Sequence, residues 1–232
     1  MNWTSEASVD LESDLRWGDA GDVVIEGGPG DMARIEAVAS DYWGRGQRLL
    51  ALGGDHSVTA PLLRGARAAH RAITIVHFDA HPDLYPEFAG NRDSHASPFY
   101  RIMEEQLAQH LIQIGIRTLN AEQRPAVERF QVEIVRPDDL GHWAGLRQKT
   151  PVYISIDMDV LDPAFAPGVS HHEPGGLTVR ELLQALWRID APLIGGDIVE
   201  LNPERDPTTQ TTAVAAKLLK ELLSALLKCP VR

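Results

Sequence analysis

The chain has 232 residues with a formal net charge of −11, 44% hydrophobic and 24% charged residues, enough apolar material to bury one sizeable core and too ordered a composition for a disordered polypeptide. The excess of acid excludes the basic face of a nucleic-acid binder and favours a cationic or neutral partner. No apolar run reaches the roughly 18 residues that span a bilayer, and the opening "MNWTSEASVDLESD" lacks the basic end and apolar stretch of a signal peptide, so a cytoplasmic location and no membrane partner are expected. A single cysteine, Cys229, leaves no internal disulfide and no thiolate cluster.

In chain order, short β-branched runs alternate with segments of helical spacing. "GDVVIEG", "RLLALGG", "ITIVHF", "LIQIGIR", "QVEIVR", "VYISID" and "PLIGGDIVEL" read as strands; "TAPLLRGARAAHR", "SPFYRIMEEQLAQH", "TVRELLQALWRI" and the C-terminal "TTAVAAKLLKELLSALLK" read as helices. Thr178 and Glu181 have the spacing of a capping box, which marks a helix start. No internal repeat or linker interrupts the pattern, so residues 1–232 are expected to form one domain. Strand and helix in alternation predict a mostly parallel sheet covered on both faces, an α/β fold.

Ligands in such sheets bind at the carboxyl ends of the strands, and four predicted strands end there in acid or imidazole. "RLLALGG" runs into Asp55 and His56, "ITIVHF" into Asp79, His81 and Asp83, "VYISI" into Asp157 and Asp159, and "PLIGG" into Asp197 and Glu200. Alternation along an extended segment would put Asp79, His81 and Asp83 on one face, and Asp157 and Asp159 on one face. Carboxylates packed so densely repel and are driven toward protonation unless cations neutralise them. A centre of at most five carboxylates and two imidazoles, without sulfur, suits Mn²⁺ better than structural zinc. It has too many carboxylates for one ion. Two ions sharing carboxylates would activate a water, so hydrolysis is the expected chemistry.

"LGGDHSV", "HFDAHPDLY", "SIDMDVLDPAFAPG" and "GGDIVELNPERD", in this order, resemble the signature blocks of the ureohydrolases, the family of arginase and agmatinase. "FAGNRDSHASPF" and "APGVSHHEPGGLT" are most similar to plant-type arginases and their bacterial relatives. The resemblance implies a three-layer α/β/α sandwich of the arginase/deacetylase fold around two Mn²⁺. One ion would be held by His56, Asp79, Asp83 and Asp157, the other by His81, Asp79, Asp157 and Asp159. The catalytic groups would be Asp83, Glu200, which would grip a guanidinium, and His95, which would shuttle protons; Asn91 and His171 would join Glu200 and His95 against the substrate. The implied partner is a small cationic guanidino compound, and the implied assembly a homo-oligomer, a trimer or hexamer.

Asp55 is expected to orient a ligand histidine, Asp162 to cap the "DPAFAPG" turn, Asp197 to be structural and His77 to be a core histidine. Two departures from the family pattern stand out. The opening residues correspond to a shortened N-terminus lacking an edge strand, and Asn120 stands where animal-type arginases have an acid for an α-ammonium, which leaves arginine and agmatine unseparated. A catalytically weak scaffold and a one-zinc amidohydrolase of the deacetylase type are the competing readings. The scaffold would not need all six ligands, and in the amidohydrolase His56 and Asp83 would be superfluous.

Overall fold

The computed structural model describes residues 2–28 and 30–228; Cys229 lies outside them. Six strands form one sheet, β1 (Leu49–Leu52), β2 (Thr74–Phe78), β3 (His110–Ile114), β4 (Glu133–Val135), β6 (Val152–Asp157) and β8 (Leu193–Val199), in the order β1-β8-β6-β2-β3-β4. Every pairing in it is parallel. The two-residue strands β5 (Leu146–Arg147) and β7 (Ile189–Asp190) make a separate parallel pair.

Burial follows from this topology. β2 and β6 are buried at every residue, as parallel strands covered on both faces must be. Successive side chains serve opposite cores. Ile75, Leu111, Tyr153 and Ile194 pack against helices α1 (Asp31–Gly44), α2 (Thr59–Ala66), α3 (Pro98–Glu104) and α4 (Arg124–Phe130). Val76, Phe78, Ile154, Ile156 and Ile198 pack against α5 (Val179–Trp187) and α6 (Gln210–Lys228). This is the expected three-layer sandwich. Each fully buried Leu or Ile contributes about 1.5–3 kcal/mol.

Thr178 caps α5 with the full reciprocal box: its hydroxyl accepts from Glu181 N and the Glu181 carboxylate accepts from Thr178 N. The opening residues lie against the last helix. Glu6 N donates to Glu221 Oε1 at 2.9 Å, Ser5 and Ser224 share a 2.9 Å hydrogen bond, and the Glu6 carboxylate pairs with Arg180 at 2.6 Å and Lys217 at 2.9 Å.

The expected strand "GDVVIEG" does not form. Val24 is 67% and Ile25 56% exposed, although Val23 packs against the core, and the stretch is bracketed by Gly21 and Gly27, both with positive φ; with no strand among the described residues beside it to share its backbone hydrogen bonds, a β-prone run stays irregular. Helix α1 was not read from the sequence, although Ile35, Ala39 and Trp43 recur at four-residue spacing and are its buried stripe. Helix α4 was missed as well.

Candidate metal centre

The strand order makes β1, β8, β6 and β2 consecutive neighbours, so their carboxyl ends bring His56, Glu200, Asp157 and Asp79 to one edge. His56 opens a 3-10 turn after β1. Asp157 ends β6 and caps the next 3-10 turn, accepting from Asp159 N at 2.8 Å. A tight turn rather than extended alternation therefore brings Asp159 beside Asp157. Asp83 reaches the centre through a left-handed backbone, φ 51°, and Glu200 has φ 65°. Gly115, at the end of β3, has φ 98°, and a Cβ there would stand 2.9 Å from Asp79 O.

Two lobes share Asp79. In one, His56 Nδ1 lies 3.3 Å from Asp79 Oδ2, 3.2 Å from Asp83 Oδ2 and 3.2 Å from Asp157 Oδ2. In the other, His81 Nδ1 lies 3.0 Å from Asp159 Oδ2 and 3.4 Å from Asp79 Oδ1. His56 and Asp79 are wholly buried, while His81 is 28% exposed at its side chain. Four aspartates thus surround the two imidazoles, and Glu200 is the fifth carboxylate.

The electrostatics are those of a site built around missing positive charge. Burial and the neighbouring Asp79 push the Asp83 carboxyl up to about 7, and the same causes raise Asp159 to about 6. Burial opposes protonation of His81, but Asp159 and Asp79 outweigh it and lift the ring to about 11. Burial and its neighbours Asp159 and Asp79 raise Asp157 well above the usual carboxylate range. Burial likewise penalises the charge on Asp79, yet His77 and His56 hold its carboxyl well below that range.

The donor set fits a pair of hard or borderline divalent ions. His56 Nδ1 is buried with no hydrogen-bond partner, although three carboxylate oxygens surround it; an imidazole nitrogen left so at the centre of a carboxylate cluster is what a metal ligand looks like. Its other nitrogen, Nε2, meets Ser155 Oγ at 2.9 Å, and Ser155 donates to Asp197 Oδ1 at 2.6 Å. Asp197 also accepts from Thr59 and Tyr153. A proton on Nε2 leaves the Nδ1 lone pair for the ion.

This corrects two expectations. Asp55 does not orient His56: it is exposed and its carboxylate caps its own turn at Ser57 N and Oγ. Asp197 is more than structural, since it acts on His56 through Ser155. The pairing Ser155 opposite Asp197 could be found only from strand register. His77 is a core histidine as expected, but it also donates to Asp79; burial keeps it neutral, down to about 4. It lies close enough to His56 and Asp79 to be grouped with them as a ligand, yet Asp79 and Gln113 occupy its two nitrogens. Asp162 caps its turn as expected, accepting from Ala164, Gly175 and Gly176 N–H.

A line of rings leads outward from the lobe of His81. His171 lies 6.2 Å from His81 and stacks on His95 at 5.3 Å; His95 meets Phe88 at 6.0 Å, and Phe88 meets Tyr85 at 5.4 Å. Tyr85 OH accepts from Asn120 Nδ2, whose Oδ1 takes the N–H groups of Glu122 and Gln123. Glu200 Oε1 accepts from His56 N at 2.9 Å. Asn91 is exposed and spends its side-chain oxygen on Asp93 N. A cleft of about 280 Å³ lies at the amino ends of β2 to β4 and touches none of these residues.

The parallel α/β sheet thus carries a buried aspartate–histidine cluster at the carboxyl ends of its strands. The chain belongs to the arginase family, whose model matches residues 2–224. It is 46% identical over 190 residues to a mitochondrial arginase of Medicago truncatula, covering 78% of this chain and 56% of that one. It is 42% identical over 182 residues to an N(1)-aminopropylagmatine ureohydrolase of Thermus thermophilus, covering 72% and 59%. The solved arginase of Medicago truncatula superimposes with a TM-score of 0.90 at 38% identity, covering 97% of this chain and 77% of the other. The chain therefore spans a little over half the length of the curated arginase it matches. The expected cytoplasmic location is corrected by these relatives: plant arginases similar to this chain are named as mitochondrial, and one from Arabidopsis thaliana as chloroplastic/mitochondrial. Bulk composition carries no address, because targeting is read from segments that leave the mature domain unchanged.

Proposed function

We propose that the chain is a ureohydrolase domain, residues 1–232 acting as one unit, that hydrolyses arginine or agmatine to urea and ornithine or putrescine. The observation that carries this is the buried, unpartnered Nδ1 of His56 facing Asp79, Asp83 and Asp157, beside a second lobe that shares Asp79. His56, Asp79, Asp83 and Asp157 would hold one Mn²⁺ and His81, Asp79, Asp157 and Asp159 the other. Bound there, the pair supplies an activated water nucleophile at neutral pH.

The chain's own residues do the rest. Glu200 offers a carboxylate oxygen to the planar guanidinium, a match that geometry favours, and its φ of 65° turns it toward the centre. Glu200 and the four aspartates attract the cation. Cleaving the C–N bond requires a proton on the departing amine, and His95, half-buried on the ring wall, delivers it. His171 and Asn91 border the path of the substrate tail. Asn120 is already engaged by Tyr85 and the start of α4, so an α-ammonium finds no acid there and the tail is left open.

Urea release tests the reading. Protein loaded with Mn²⁺ at mildly alkaline pH is given arginine, agmatine, N(1)-aminopropylagmatine and shorter guanidino acids; urea from at least one is expected, and urea from none refutes it. Elemental analysis should find two Mn per chain. β1 is an edge of the sheet, with Leu52 64% exposed, which favours a homo-oligomer; a monomeric mass by light scattering at micromolar concentration would count against it.

A further inference from the structure

Gln113 has no part in the chemistry above, yet it is wholly buried beneath it. β2 and β3 pair with His77 opposite Gln113, so both side chains leave the sheet on the same face. Gln113 Nε2 lies 2.6 Å from Pro82 O and 3.0 Å from His77 Nδ1. A carbonyl oxygen only accepts, so the amide atom facing Pro82 is the NH₂, which removes the twofold ambiguity of a glutamine side chain. The same NH₂ can only donate to His77. Nδ1 of His77 therefore keeps its lone pair, and the ring proton sits on Nε2, 2.8 Å from Asp79 Oδ2. Phe99 stacks on the ring with centroids 3.8 Å apart and opposes its rotation.

We propose that Gln113 is a positioning residue that fixes the Nε2–H tautomer of His77 and so turns that ring into a hydrogen-bond donor to Asp79. The consequence falls on the shared carboxylate. Asp79 Oδ1 accepts from His81 N at 2.5 Å and faces the His81 lobe, while Oδ2, held by His77, faces His56. In the opposite tautomer a nitrogen lone pair would confront Oδ2, and the carboxylate would turn away. Pro82 lies between His81 and Asp83 in the chain, so the second bond of the same amide also ties the loop that carries both residues to β3.

This inference rests on the metal reading proposed above, and its test lets the two fail separately. Metal-free protein carrying ¹⁵N-histidine, studied by long-range ¹⁵N–¹H NMR, should show His77 as the Nε2–H tautomer; the Nδ1–H form, or a mixture, overturns the proposal. Gln113→Met, similar in length but without the donor, should show both tautomers and bind Mn²⁺ about 10- to 100-fold more weakly in an electron paramagnetic resonance titration of free ion, the usual scale for losing a group that orients a ligand. Unchanged Mn²⁺ affinity overturns it. If Gln113→Met does not fold, Gln113→Glu replaces it: a carboxylate calls for a proton on Nδ1, and an unchanged tautomer there refutes the assignment. Wild-type protein that takes up no Mn²⁺ refutes the metal reading instead, while the spectrum of the metal-free protein still decides the tautomer.

Discussion

The rings of His95 and His171 stack with their centroids 5.3 Å apart and their planes 18° from parallel. His171 is exposed, and the ring it stacks on is the one proposed to deliver the proton. His171→Ala should leave Mn²⁺ bound and lower kcat about tenfold, a loss of about 1.4 kcal/mol in the barrier, because His95 loses the plate that holds it. His171→Phe keeps a flat ring and should restore most of the rate. Steady-state kinetics with both variants checks this; an unchanged kcat in His171→Ala would show that the stack has no catalytic consequence.

Asp157 and His95 should separate by metal content. Asp157→Ala removes an oxygen 3.2 Å from His56 Nδ1 and a ligand proposed for both ions, so manganese and activity should fall together. His95→Ala should keep both ions while kcat falls on the order of 10²-fold, the scale of general acid–base catalysis, and added imidazole should recover part of the rate. Elemental analysis beside kinetics decides; loss of manganese from His95→Ala would move His95 among the ligands.

Gly115→Ala tests how closely the backbone is fitted under the centre. The new Cβ would stand 2.6 Å from Val160 Cγ2 and 2.9 Å from Asp79 O, on a residue whose φ is 98°. Something must shift: Asp79 belongs to the proposed centre, and Val160 is a buried core residue next to Asp159 in the turn after β6. Destabilisation of about 1–3 kcal/mol in urea unfolding is expected, the usual cost of overpacking, together with weaker Mn²⁺ binding. Full stability would show that the loop after β2 yields freely.

The Glu6 cluster should make stability depend on acid. Hydrogen bonds from Arg180 and Lys217 lower the Glu6 carboxyl from 4.5 to about 2 in the folded chain. A depressed carboxyl stabilises the fold above the unfolded value and loses that contribution as pH falls from 4.5 toward 2. The side chain is 35% exposed, so solvent screening limits the gain to about 0.5 kcal/mol. Thermal unfolding of wild type and Glu6→Gln should differ by that amount at pH 7, and the gap should shrink as pH falls through about 2; a gap that stays constant from pH 7 through that range would rule out the ion pairs as its source.

The alternation of β-branched and helical segments was enough to read a mostly parallel sheet covered on both faces, and the acids and imidazoles ending four strands were enough to read where a site would lie; the three-layer sandwich and the ligand set were implied by the family resemblance. Both signals are local. What joins His77 to Gln113, and Ser155 to Asp197, is register between strands far apart in the chain, and a single sequence does not state which strands are neighbours. The same limit explains Asp55, whose place in the sequence beside His56 suggested a contact that its own capped turn prevents. "GDVVIEG" failed for the opposite reason: its propensity was real, but no strand among the described residues lies alongside to use it.

Asp83 and Glu200 both hold the left-handed backbone that glycine adopts without penalty, a conformation that costs other residues on the order of 1–3 kcal/mol. Replacing either with glycine would relieve that strain while deleting a carboxylate from the edge where the chemistry is proposed to occur. Heat resistance and reactivity therefore compete at two backbone positions. A variant selected only for surviving high temperature should drift toward glycine at both, and become sturdier as it falls silent.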